Sequence, residues 1–199
     1  MSISLDQARQ IADASLAKGH EMGLKPLSVF ILDPRGATVA ALSEDGVSQL
    51  RARIAHGKAN AAIGLGMGTR ALMNRAEQQA YFIQAVNGVF DGDMVPVPGG
   101  VLIQDAGGAL LGAVGISGDT SDNDEAAAIA GIEAAGLSAK VDWGAGPNSA
   151  RLATTRSPLS SWQASAAKTP AMPVPVARQA SAPSSATSLV WSIDTVGLP

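Results

Sequence analysis

Residues 27–42 read Leu27-Ser28-Val29-Phe30-Ile31-Leu32-Asp33-Pro34-Arg35-Gly36-Ala37-Thr38-Val39-Ala40-Ala41-Leu42. Two strand-like apolar runs, 27–32 and 38–42, flank Asp33-Pro34-Arg35-Gly36, where proline suits the second position of a tight turn and glycine tolerates positive φ. The stretch is an antiparallel hairpin. The pattern repeats further on: Pro98-Gly99-Gly100 opens the run Val101-Leu102-Ile103, Asp105-Ala106-Gly107-Gly108 turns it, and 109–116 returns.

Helical segments surround the hairpins. Ser4 and Gln7 form a capping-box pattern ahead of Leu5, Ala8, Ile11, Ala12 and Leu16, which share one helical face and lead to the breakers Gly19 and Gly23. A second helix is expected over 47–65, on the spacing of Leu50, Ile54, Ala59, Ala62 and Ile63, and a third, less regular one over 70–85. Ser121 with Asp124 three residues on is a capping pattern, and Asp122, Asp124 and Glu125 sit where a helix dipole favours negative charge ahead of 126–135. Hairpins flanked by helices imply an α+β domain with a mainly antiparallel sheet, not a doubly wound one.

That domain is expected over 1–142. It carries 10 Lys+Arg against 16 Asp+Glu, whereas 143–199 carries 4 against 1. The second segment holds 7 Pro, 11 Ala and 10 Ser, a composition that sustains neither helical nor strand periodicity, so it reads as an irregular extension. Trp143, Trp162 and Trp191 all lie there. The stretch 188–196, Ser-Leu-Val-Trp-Ser-Ile-Asp-Thr-Val, is an apolar patch on a tether, suited to docking on the chain's own domain, a neighbouring subunit or another protein.

Composition excludes several functions. A formal charge of -3 over 199 residues argues against coating nucleic acid. With no cysteine there is no disulfide scaffold, thiolate zinc site, iron–sulfur ligation or cysteine nucleophile, and two histidines cannot build an all-histidine zinc cluster within one chain. The longest nearly continuous apolar run, 108–116, is far shorter than the roughly 18 residues of a membrane span, so none is expected. The first residues lack the basic and apolar regions of a secretory signal, which puts the start of the mature chain near Met1 and makes the cytoplasm the default compartment.

Few residues remain for chemistry. Gly66-Met67-Gly68-Thr69-Arg70-Ala71 matches a dinucleotide-binding glycine pattern in letters, but it follows a helix rather than a strand and reads as a helix-to-helix connection. Gly99 and Gly100 allow a close approach and free N–H groups for a carboxylate, or mark an ordinary strand entry. Gly112, Gly115 and Gly118 suggest close packing of another backbone. His20, near the end of the first helix, is either a dipole-favoured surface residue or a metal ligand; His56 is the second choice of ligand. Lys58 on its alanine-rich helix can snorkel from an apolar face, bind a carboxylate, or form a Schiff base if desolvated. Asp33 is a turn-former or an acid–base group.

The order of these pieces resembles the GlcG/HbpS family, which includes the C-terminal domain of PduO-type proteins. The likeness covers about 4–140 and rests on Ser28–Gly36, Gly57-Lys58-Ala59-Asn60-Ala61-Ala62, Pro98–Ile103, Gly112-Ala113-Val114-Gly115-Ile116-Ser117-Gly118 and Asp124-Glu125-Ala126-Ala127, in that order. It implies a small α+β domain with profilin-like layering, assembly as homo-oligomers, and haem as cofactor, in some members linked to haem sequestration or degradation. On that reading His20 is the candidate iron ligand, with Lys58 and the Gly99 and Gly100 backbone receiving carboxylates. A departure is Ser43-Glu44-Asp45-Gly46, which is acidic and would repel ligand carboxylates if it faced the site. Family members also sit beside enzymes of small-molecule catabolism, so a second reading is an enzyme or accessory protein acting on a metabolite, with Lys58 and Asp33 as its polar centre. A third is an assembly module docked through 188–196.

Overall fold

The computed structural model describes residues 1–142, so the expected extension over 143–199, its docking segment 188–196 and the three tryptophans lie outside the described residues. The described chain runs α1 (Leu5–Glu21), β1 (Ser28–Leu32), β2 (Thr38–Ser43), α2 (Arg51–Leu65), α3 (Thr69–Gln78), α4 (Ala80–Val89), β3 (Gly100–Gln104), β4 (Leu110–Ser117), α5 (Ser121–Ala134) and β5 (Ser138–Lys140). The strands form one antiparallel sheet in the order β2-β1-β4-β3-β5. The α+β class and the antiparallel sheet are those expected, and β5 adds an edge that the sequence reading did not contain.

Both hairpins turn by the same device. Asp33 Oδ1 accepts the N–H groups of Arg35 (2.8 Å) and Ala37 (2.9 Å), and Asp105 Oδ1 accepts those of Gly107 and Ala109 (both 2.9 Å). Gly36 and Gly108, at φ 83° and 82°, complete the two turns in a region closed to most side chains. The Arg35 guanidinium, which also binds Asp33 Oδ2 at 2.9 Å, and the two backbone donors hold the Asp33 carboxyl below its ordinary range.

Helices cover the sheet on both faces. On one, α1 and α5 pack together over Val29, Ile31, Val101, Val114 and Ile116, contributing Ile11, Ala12, Ala128 and Ile132. On the other, α2 lies against Leu32, Leu102 and Ala113 through Ala59 and Ala62. A smaller cluster of Met67, Leu72, Ile83 and Met94 sits under α3 and α4. α1 starts at the expected capping box, with Gln7 N donating to Ser4 Oγ at 3.2 Å and Ser4 N to Gln7 Oε1 at 3.1 Å.

Three expectations shift. The second helix begins at Arg51 rather than residue 47, since Leu50 occupies the cap without a side-chain acceptor. The helical region 70–85 is two helices, because Gln79 at φ -139° and ψ 58° breaks the spiral with neither glycine nor proline to announce it. The cap of α5 is Thr120, whose hydroxyl accepts from Asn123 N at 3.4 Å, one residue before the expected Ser121. Gly66, at φ 65°, ends α2 and Gly68 caps α3, so the glycine run joins helix to helix as read.

The entry to α5 gathers three donors on one carboxyl. Asp119 accepts from Thr120 N (2.8 Å), Asn123 Nδ2 (2.7 Å) and Lys25 N (3.2 Å), which lower its carboxyl from 3.8 to about 2. A carboxyl more acidic in the folded than in the unfolded chain stabilises the fold above 3.8, and that contribution disappears as pH falls towards 2. Denaturation series across this window are expected to show a stability loss that is shallower in Asp119→Asn; equal slopes would remove Asp119 from the acid response.

Candidate functional site

His20 stands in the last turn of α1, after which Gly23, at φ 67°, turns the chain towards β1. Its Nε2 meets Glu44 Oε1, and Glu44 Oε2 accepts the Leu27 N–H at 2.6 Å, so a carboxylate anchored on the backbone grips the ring from one side. The histidine side chain remains 74% exposed while that of Glu44 is 15% exposed. They border a cavity of about 560 Å³ whose wall is apolar along Leu16, Leu24 and Pro26 and polar along Ser43, Glu44 and Asp45. The acidic loop singled out in the sequence therefore does face His20.

Lys58 is elsewhere, on α2. It is among the largest fully buried side chains. Its Nζ donates to Asp124 Oδ2 at 2.7 Å and to the Ile116 carbonyl at 2.9 Å, and Asp124 Oδ1 accepts the Asp119 N–H at 3.1 Å. Burial lowers the Lys58 pKa and the facing Asp124 carboxylate opposes that shift. The structure brings Gly99 and Gly100 to Lys58: a Cβ on Gly99 would stand 2.8 Å from Nζ. The Gly100 N–H, however, donates to Thr69 Oγ1 at 2.8 Å, and the carboxylate that Lys58 receives is the protein's own. A ligand carboxylate there has to displace Asp124.

Neighbouring charges are also paired. Arg70 Nε donates to Glu125 Oε2 at 2.6 Å and its Nη2 to Asp122 Oδ1 at 2.5 Å, and these two acids raise its pKa. The acidic start of α5 thus does more than oppose a dipole: Asp124 anchors α2, and Asp122 and Glu125 anchor α3. Asp33 lies in its hairpin turn, where Asp105 does the same work in the other hairpin. It does not join Lys58 in any ion pair or hydrogen bond among the described residues. His56, on α2, pairs through Nδ1 with Asp93 Oδ2 at 3.0 Å and meets Phe30 edge-on at 5.7 Å between centroids.

With that geometry in place, a family model described as "Haem degrading protein HbpS-like" matches residues 3–133. The chain belongs to the HbpS-like family. Among solved structures, HbpS is 26% identical with a TM-score of 0.58, over 67% of this chain and 89% of that one. A double mutant of Streptomyces reticuli HbpS is 25% identical with a TM-score of 0.57, over 67% and 86%. A complex of PduOC with haem is 21% identical with a TM-score of 0.64, over 70% and 99%, a likeness of fold. No curated protein matches in sequence. In this HbpS-like chain no described helix is long and apolar enough to cross a membrane, and no group of three His, Asp or Glu side chains suited to a metal ion occurs among the described residues.

The partners Glu44 of His20, Asp124 of Lys58 and Asp93 of His56 escaped the sequence reading. Each joins distant segments, and the only signal was the acidic run 43–46 for Glu44.

Proposed function

We propose that this HbpS-like protein binds haem in the cavity beside His20 and works as a homo-oligomer. The observation that carries the reading is an exposed imidazole next to the apolar wall of Leu16, Leu24 and Pro26. A single nitrogen donor against an aliphatic surface is what a tetrapyrrole requires of a protein. The family is described as haem-degrading and the PduOC structure is a complex with haem, which supports the same ligand here.

Haem, when bound, supplies an iron that accepts an axial donor and can undergo redox change. The chain's own residues do the rest. His20 offers its ring nitrogen once Glu44 releases it. Leu16, Leu24 and Pro26 exclude water from the macrocycle. Glu44 and Asp45 would disfavour ligand carboxylates on their side of the cavity. Lys58, Gly99, Gly100 and Asp33 serve the fold on this reading. Oligomerisation is supported by the edge strand β2, which carries no charged residue over Thr38–Ser43 and leaves Leu42 39% exposed, without the charge or proline that usually guards a free edge.

Hemin titration of the full chain tests the site. The wild type is expected to give a sharp Soret shift, His20→Ala to abolish it, and His56→Ala to leave it in place. An unchanged spectrum in His20→Ala would sink the assignment. Glu44→Gln removes the competitor for Nε2 and one negative charge while keeping an acceptor for Leu27, so hemin should bind several-fold tighter, a gain of about 1 kcal/mol. Weaker binding would show instead that Glu44 helps to hold the ligand. The spectrum of protein purified without added cofactor, read beside its native mass, tests haem and assembly together.

A further inference from the structure

A second cavity, of about 400 Å³, lies between Phe30, α2 and the turn that follows α4. Its imidazole is fixed from behind. His56 Nδ1 pairs with Asp93 Oδ2 at 3.0 Å, and Asn60 Nδ2 holds Asp93 in turn, donating to its carbonyl at 2.9 Å and to Oδ2 at 3.2 Å. The edge-on Phe30 ring, 87° from the imidazole plane, packs beside it. That pairing occupies Nδ1 and leaves Nε2 without a partner among the described residues.

Two charges line the same space. Arg53 lies three residues before His56 on α2, hence on the same helical face, and Asp91 lies across from it in the turn. Neither forms an ion pair or a side-chain hydrogen bond among the described residues, unlike Asp93. Asp91 is also the one described non-glycine residue at positive φ, 52°, followed by Gly92 at 82°. The pair closes the C-terminal end of α4, with Gly92 N donating to the Asn87 carbonyl at 2.9 Å, and so fixes where Asp91 stands.

One unpaired guanidinium and one unpaired carboxylate therefore border a single cavity with an aromatic wall. A phosphate or dicarboxylate would meet Arg53 but be opposed by Asp91 and Asp93. A simple amine would leave Arg53 unmatched, and no three His, Asp or Glu side chains among the described residues are grouped to hold a metal ion. The complement of this set is a small zwitterion. We propose that the cavity binds a free amino acid, its carboxylate on Arg53, its ammonium donating to Asp91, and its side chain against Phe30 and Ala52. The volume lies near the lower end of small-molecule sites, which suits a ligand of that size.

The site is separate from the His20 cavity and does not rest on haem binding. The test is a saturation-transfer NMR screen of the full chain against free L-amino acids, one at a time at millimolar concentration. For each binder, the corresponding deaminated acid and decarboxylated amine are then titrated. At least one amino acid is expected to bind saturably, with both single-charge analogues weaker by about tenfold. Arg53→Gln and Asp91→Asn should each weaken binding to a similar extent, and His20→Ala should not change it. Both substitutions sit on the exposed rim, and circular dichroism checks that they fold. No saturable binding by any amino acid would overturn the proposal, as would an analogue that binds as tightly as its parent. Stoichiometric release of the amino acid by hemin would overturn it too, by giving the cavity to the tetrapyrrole.

Discussion

Lys58→Met is expected to lower the folding free energy by about 3–5 kcal/mol, because it leaves the Asp124 carboxylate buried without its counter-ion. The side chains of Lys58 and Asp124 are 2% and 1% exposed, so water cannot take the place of the lost ammonium. Among the described residues only the Asp119 N–H would still donate to the carboxylate. A domain of this size has roughly 5–15 kcal/mol of stability in all, so the urea midpoint should fall far. The double variant Lys58→Met with Asp124→Leu removes both charges and should recover most of the loss, since apolar replacement of a whole buried pair is often close to neutral. A midpoint unmoved by Lys58→Met would show that the pair does not hold α2 to α5. Should the single variant instead stay folded and lose a carbonyl-trapping activity, Lys58 would return as a nucleophile.

Gly115→Ala should be nearly as damaging, by about 3 kcal/mol, at the upper end of what overpacking costs. Gly115 pairs with Phe30 on one side and Gly100 on the other, so two glycines lie side by side in one row of the sheet. α2 rests on that row. A Cβ on Gly115 would fall inside the contact distance of the Ala55 carbonyl oxygen and 2.7 Å from Ala59 N; one on Gly100 would fall 2.8 Å from the Lys58 carbonyl carbon. These neighbours are helix backbone, which cannot rotate aside as a flexible side chain can. The helix has to lift, and with it Lys58 leaves Asp124. Thermal unfolding of Gly115→Ala and Gly115→Val measures the effect, with the larger residue expected to be worse. Equal melting temperatures for all three proteins would mean that the close seat of α2 carries little stability.

The parts of this architecture that were legible in the sequence are those written locally. The hairpin at Asp33 could be read because its acceptor, its donors at Arg35 and Ala37, and Gly36 all lie within five residues. The capping box of α1 spans four residues and was equally readable. The glycines of β4 announced a close neighbour, and α2 is that neighbour for Gly115. What the sequence hid is long-range. Lys58 looks like a snorkelling, ligand-binding or reactive lysine until α5 brings Asp124 to it. His56 looks like a plain helical histidine until the turn after α4 brings Asp93. The break at Gln79 was hidden for another reason: an ordinary residue adopts the non-helical angles, and α4 is too apolar in composition to show where it starts.

The middle of the sheet is the pairing of β1 with β4, which sets Ser28 against Ser117 with three helices threaded between them. Each hairpin can zip within microseconds, since its ends are close along the chain. Joining the two halves first requires closure of the long intervening loop, at an entropic cost that rises with the logarithm of its length. Refolding should therefore be limited by docking of two ready-made half-sheets. Substitutions along the β1–β4 seam are expected to slow folding, whereas those under α3 and α4 should chiefly hasten unfolding.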